Sequence, residues 1–187
     1  FSHLLVTVSE GVRENYVKKG KYAGESLVLE NGCDFAYWGL KPVEIRHLIT
    51  KKPRRAALYQ GGISHKLDFP LLENLAAHMP DWEFWFCGEV FNCFDEWETL
   101  LKYKNVRYFG KLHPDEVRKL SLKASVGLIP FIQNDWIIER SFPLKAFEYA
   151  ACGLPVVTVP IKPLLVFPQI FSFAATAVEF MEGIRQA

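Results

Sequence analysis

The sequence predicts an α/β fold, a doubly wound parallel sheet with helices on both faces, and three observations carry that prediction. From Arg55 onward, short apolar runs alternate with helix-length amphipathic segments. Four of those runs end in Gly or Pro, at Gly61-Gly62, Gly88, Gly110 and Pro130, as strand-to-helix turns commonly do. Half of the 187 residues are apolar and 14% are aromatic, enough for one substantial core and part of a second unit.

In chain order, residues 4–8 read as a strand, Ser9 as a helix N-cap, residues 10–18 as a helix and residues 27–29 as a second strand. Asn31-Gly32-Cys33-Asp34 follows as a turn or hinge, because Asn and Gly tolerate positive φ and Asp can cap the next element. The alternation then runs through a strand at 56–59, a helix at 68–78 and a strand at 83–87. It continues with a strand at 106–109, a helix at 114–123, a strand at 126–129, a helix at 143–151 and a strand at 156–159. Ligands of open parallel sheets bind outside the carboxyl ends of the strands, so the Gly and Pro turns mark the expected rim. For Gly88 and Gly110 the plain requirement of a tight turn accounts equally for the residue type.

Composition excludes several classes. With 22 basic and 21 acidic residues the net charge is +1, and no like-charge block exceeds Lys51-Lys52-Pro53-Arg54-Arg55, so no nucleic-acid partner is expected. The most apolar stretch, residues 163–178, is broken by Pro168, Gln169 and Ser172 and falls short of the roughly 20 residues of a spanning helix. The first residue is Phe1, which predicts that the true N-terminus lies elsewhere and that any membrane association comes through other segments. Cys33, Cys87, Cys93 and Cys152 contain no C-x-x-C pair and read as packed free thiols of a reducing cytoplasm. His65 and His113 read as solvated loop residues. Trp136, Ile137 and Ile138 form either an exposed apolar loop beside the cleft or part of the core.

The segment richest in chemical signals is residues 139–157. Pro143 suits a first helical turn, Cys152-Gly153 ends the helix, and Pro155 opens a strand. The turn ahead of the helix thus presents free backbone N–H groups at a positive dipole end, which is a place for an anion. Leu144, Phe147 and Ala151 share one helix face, with Lys145, Glu148, Tyr149 and Cys152 on the next. Spacing alone leaves two readings of Lys145 and Glu148, a surface i,i+3 ion pair or a ligand-binding pair.

The string S-x-P-x-K-x-x-E-Y-x-A-x-G-x-P-V-V from Ser141 to Val157 resembles the donor-site helix of glycosyltransferase family four and related GT-B enzymes. Residues 59–68 resemble the first strand-to-helix loop of that family. Asp81-Trp82-Glu83-Phe84 through Gly88 is similar to its P-D-W-x-F-x-x-x-G strand, and Asn105-Val106 through Gly110 to N-V-x-x-x-G. Asn31-Gly32-Cys33-Asp34 resembles the N-G-V-D hinge between its two Rossmann-like domains. The resemblance therefore implies that residues 1–35 end an N-terminal domain and its hinge, and that residues 36–187 form the donor-binding domain.

What the resemblance implies for the site is specific. Glu148 matches the glutamate that holds the ribose hydroxyls, a fitting role for a carboxylate with two acceptor oxygens. Backbone around Phe142, Pro143 and Leu144 would cup the diphosphate, with Gly61, Gly62 and Ser141 lining it, and Lys66 matches a phosphate-binding cation. Lys66 and Glu139 are the candidates for catalytic duty. Two positions depart from the commoner pattern: Arg140 stands where a glutamate is usual, with Glu139 beside it, and the first-loop arginine is replaced within Gly61-Gly62. The S-x-P-x-K subgroup suggests that Ser141 and Lys145 take over phosphate duties.

The implied reaction is transfer of a sugar from a nucleotide-sugar donor to a glycan or lipid-linked acceptor, with retention, in cell-surface polysaccharide synthesis. The acceptor would sit on an N-terminal domain outside these residues, so the 187 residues alone are expected to be inactive. Cations and a helix N-terminus at the leaving diphosphate make a metal redundant, and no D-x-D motif occurs, so no cofactor is expected. The expected location is cytoplasmic, and any peripheral contact with the inner membrane face is expected of the full-length protein alone. Two other readings are a GT-B nucleotide-sugar epimerase, which would need acid and base carboxylates, and a non-catalytic nucleotide-sugar binder, favoured by Arg140.

Overall fold

The structure, a computed structural model, describes residues 3–45 and 55–187. Most of the basic run, residues 51–54, and Phe1 lie outside the described residues. The chain opens with β1 (Leu4–Thr7), α1 (Glu10–Glu14) and β2 (Glu25–Val28). As expected, Ser9 caps α1, its Oγ accepting from Val12 N at 3.3 Å. The expected helix continues only as a wider π-helical turn over Asn15–Lys19. β1 and β2 pair in parallel as a separate two-stranded sheet, with Val6 beside Leu27. Asp34 caps α2 (Phe35–Trp38), which sends Trp38 into the core.

The main sheet comprises β3 (Ala56–Gln60), β4 (Glu83–Cys87), β5 (Val106–Tyr108), β6 (Val126–Ile129), β7 (Val156–Thr158) and β8 (Phe171–Phe173). Its spatial order is β5-β4-β3-β6-β7-β8 and every pairing is parallel. Each parallel step needs a crossover: α3 (Phe69–His78), α4 (Phe94–Leu100), α5 (Pro114–Ser121) and α7 (Leu144–Ala151) supply those as far as β7, and a short 3-10 turn over Lys162–Leu164 lies on the way to β8. A short α6 (Asp135–Arg140) precedes α7, and α8 (Ala177–Gln186) ends the chain against α3. The crossovers run outward from β3 in both directions, and with the right-handed sense that such connections adopt they place helices on both faces, as the sequence predicts. β3, β6 and β7 are buried along their whole length, which is why they read as continuous apolar runs rather than alternating ones.

Several elements depart from the sequence reading. α2, α4, α6, α8 and β8 were not among the expected elements, and α6 occupies the stretch expected as a loop. α6 splits the two readings of its apolar residues: Ile137 is buried in the core, while Trp136 is 54% exposed and carries the Arg140 guanidinium 4.9 Å from its ring centroid. Leu144, which spacing puts on one face with Phe147 and Ala151, is 51% exposed. α7 buries Ala146, Tyr149 and Ala151 instead, because Tyr149 is drawn into a gap in the sheet. The four cysteines are free, three buried and Cys33 half-buried.

The segment joining the two sheets is tied to the main one by a well-shielded ion pair. Arg118 on α5 donates to both oxygens of Glu44, at 2.8 and 2.7 Å, and to the Gly39 carbonyl at 2.9 Å. The Arg118 bond, then a backbone N–H from Lys41, hold the Glu44 carboxyl down at about 2.

Candidate functional site

The strand order reverses direction between β3 and β6, and in an open parallel sheet that switch point leaves a crevice at the carboxyl ends of the two strands. β3 and β6 pair only through Ala57 with Val126 and Leu58 with Gly127. Past that point Tyr149, from α7, takes the place of the neighbouring strand. Its hydroxyl accepts from Gln60 N at 2.8 Å and donates to Leu58 O at 3.1 Å. Its ring packs against Gly127, where an added Cβ would stand 2.4 Å from Tyr149 Cδ2. Glycine at 127 is thus a requirement of the ring, and the ring satisfies backbone groups that would otherwise be buried unpaired.

Lys145, one helical turn earlier, reaches back under the turn that follows β3. Its Nζ lies 3.8 Å from the ring centroid of Tyr59 and 5.3 Å from that of Phe131. Gly61 has φ +112°, and a Cβ there would stand 2.8 Å from Lys145 Nζ. The absence of a side chain at 61 therefore makes room for the ammonium group. Burial, and after it the charge of Lys66, push the Lys145 amine down to about 7. Among the described residues no ion pair joins Lys145 to Glu148, which removes the surface-pair reading that spacing allowed.

Glu148 accepts instead from Gln60 Nε2 at 2.6 Å. Burial raises its pKa, against the lowering effect of the Gln60 hydrogen bond and of Lys145. Lys66 approaches from the first loop, its Nζ 5.1 Å from the Phe131 centroid, so two ammonium groups lie near one ring. That loop is fixed across the crevice: Leu67 bridges Phe131, Ile132 N donates to Lys66 O at 2.9 Å, and Asp68 N to Pro130 O at 2.9 Å.

α7 begins without a side-chain cap, since its N-cap position is Pro143 rather than a hydroxyl or carboxylate residue. Its first-turn N–H groups have no side-chain acceptor at the cap and face the dipole's positive end, which suits an anion. The turn ahead of it and the helix itself are held from residues 31–33, where Asn31 Nδ2 donates to Phe142 O at 2.6 Å and Cys33 Sγ to Phe147 O at 3.4 Å. Phe142 stacks on Phe147 at 5.3 Å. Ser141 and Pro143 are half-buried at this turn, and Leu144 projects outward.

The structure thus brings together Gly61, Lys66, Lys145 and Glu148, and puts the turn from Ser141 to Leu144 at the head of the helix that carries two of them. Gly62 lies under the exposed Phe91 ring, 2.8 Å from where its Cβ would be. The Glu139 carboxylate pairs with Lys162 Nζ at 2.8 Å and lines a cavity with Ser9, Glu10 and Gly11. Gln60, Tyr59, Phe131 and Tyr149 were not singled out for the site from sequence. Tyr59 and Phe131 follow the strand pattern of core residues, and only their position at the end of β3 and just past β6 betrays them. His65 faces Glu96 at 3.7 Å and His113 caps α5. Among the described residues no group of His, Cys, Asp and Glu has the makings of a metal site.

Comparison with known proteins gives one family. The family described as glycosyl transferases group 1 matches residues 67–175. A putative teichuronic acid biosynthesis glycosyltransferase of Bacillus subtilis, TuaH, is 31% identical over 156 residues, covering 81% of this chain and 39% of its own length. Anabaena HepE, solved in complex with UDP and glucose, superimposes on 100% of the chain with a TM-score of 0.76 at 16% identity, over 53% of its own length. Sucrose-phosphate synthase of Thermosynechococcus elongatus does so with a TM-score of 0.74 at 15% identity, over 49% of its length. At such identities the structural likeness is one of fold. The chain spans about two-fifths of the curated relative and about half of each of these structures.

Proposed function

The chain belongs to the glycosyl transferases group 1 family, and we propose that it is the donor-binding half of a retaining glycosyltransferase that moves a sugar from a nucleoside diphosphate to a glycan or lipid-linked acceptor. One observation carries the reading: Lys66, Lys145 and the uncapped start of α7 converge beside Glu148 at the switch point of the sheet. Two ammonium groups and a helix N-terminus suit a diphosphate, and a carboxylate one turn away suits a ribose diol. Breaking the sugar–phosphate bond leaves negative charge on the diphosphate, and positive groups already in place there stabilise the transition state without a metal. The UDP and glucose held by HepE support a nucleotide-sugar donor, and the teichuronic acid context of TuaH supports a cell-surface polysaccharide as product.

In this reading residues 1–35 close a second domain that carries the acceptor. The two-stranded sheet supports that, because it exposes Leu4, Val6, Leu27 and Leu29, whereas parallel sheets are normally covered on both faces. No described helix is long and apolar enough to cross a membrane. Reaction on the cytoplasmic face is supported by the four unpaired cysteines.

Transfer needs donor and acceptor in one cleft, since the rate gain comes from holding the two in register. Purified alone, the 187 residues are expected to bind UDP or GDP in a calorimeter and to transfer no sugar, while a chain extended to the length of its relatives transfers. Epimer formation without transfer by the extended chain, or binding without any turnover, would overturn the assignment.

A further inference from the structure

Glu148 can hold a vicinal diol only if its carboxylate is kept at a fixed rotation, and a carboxylate on a helix has three side-chain torsions to restrict. We propose that Gln60 is a positioning residue for nucleotide binding, which fixes the Glu148 carboxylate so that Oε1 stays open to the ribose hydroxyls and thereby sets the preference for ribonucleotides. The inference rests on Glu148 being the ribose ligand.

Three features of the structure support it. Gln60 is 7% exposed, a buried amide at the last position of β3, and its Nε2 donates to Glu148 Oε2 at 2.6 Å. That bond occupies one carboxylate oxygen and leaves the other for a ligand. The Gln60 backbone is held on both sides, by its register with Cys87 on β4 and by the Tyr149 hydroxyl on its N–H at 2.8 Å. Tyr149 and Glu148 are neighbours on α7, so one helix turn supplies both the group that fixes Gln60 and the group that Gln60 fixes. The amide of Gln60 thereby ties the end of β3 to α7 through a closed loop of hydrogen bonds, and a closed loop tolerates little displacement. The same bond favours the ionised carboxylate in a setting where burial opposes it.

A merely structural Gln60 would affect stability and leave ligand choice alone, so the test reads ligand choice. Wild type, Gln60→Met and Gln60→Glu are titrated calorimetrically with UDP, 2′-deoxy-UDP and pyrophosphate, and with GDP and 2′-deoxy-GDP. Wild type is expected to prefer the ribonucleotide by about tenfold, the scale of one hydrogen bond to a charged group. Gln60→Met keeps the volume without the donor, and its preference should fall below about threefold with pyrophosphate affinity unchanged. Gln60→Glu places a second carboxylate beside the first, so the preference should be lost near pH 8 and return near pH 5, where the pair can share a proton. A wild-type preference retained in both variants at every pH would overturn the role of Gln60 while leaving the nucleotide site standing. Wild type binding neither diphosphate, or binding without ribose preference, would overturn the reading of Glu148 and this proposal with it.

Discussion

Lys145→Met is expected to make the protein more stable and nearly unable to bind nucleotide. The ammonium group is enclosed by Tyr59, Phe131 and the Gly61 turn, and no carboxylate is bonded to it. Methionine keeps the stem and removes the charge, a change expected to raise stability at pH 7 by about 1–3 kcal/mol. The pH dependence identifies the cause. The folded amine titrates at about 7 and the unfolded one near its ordinary 10.5, so between those values the unfolded state holds more protons. Wild-type stability should therefore gain a rising component from pH 7 to about 10, and the variant should lack it. Binding should move the opposite way. A diphosphate favours the charged amine, so wild-type UDP affinity should fall as pH rises above 7, and Lys145→Met should lose roughly 10- to 100-fold, the scale of hydrogen bonds to charged groups. Chemical denaturation and calorimetry across pH 6–9 check both halves. A Lys145→Met protein that is less stable and binds UDP normally would show that the lysine is a packing residue.

Tyr149→Phe removes a single oxygen and is expected to lower stability by about 2–4 kcal/mol, since two backbone groups lose their partner inside the core. The hydroxyl stands in for a strand, accepting from Gln60 N and donating to Leu58 O where β6 has already turned away. Gly127→Ala should produce a comparable loss by another route, because the new Cβ would lie within 2.8 Å of three ring atoms. Urea unfolding of the two variants and of the double variant gives the coupling between them. Additive losses would contradict the account in which the bare strand and the ring form one unit, since groups in contact should be coupled.

These two sites show how far the sequence could be read. Ser9 and Asp34 were legible as helix caps because the capping residue type sits next to the helix it starts, and both accept from an N–H three residues on. β4 and β6 were legible from end to end, being apolar runs closed by Gly and Pro. α4 was not, because its seven residues bury only Trp97 and Leu100, too few to establish a period. α8 carries a capping box at Thr176 and Glu179 that the sequence did display, although the apolar stretch before it draws attention first. At the site, the helix string gave Lys145 and Glu148 together, but not what each faces. Their partners, Tyr59, Gln60 and Phe131, come from β3 and the turn after β6, and i,i+3 spacing carries no information about groups so distant in the chain.

The measurement that tests the central claim most directly is the affinity of wild type and Glu148→Gln for UDP or GDP, set beside their affinity for pyrophosphate. If the diphosphate lies on Lys66, Lys145 and the start of α7 with the ribose on Glu148, Glu148→Gln should weaken the nucleotide by about 1–3 kcal/mol and leave pyrophosphate as it was. Equal nucleotide affinity in the two proteins would contradict that placement and leave the segment from Ser141 to Glu148 as a structural helix start.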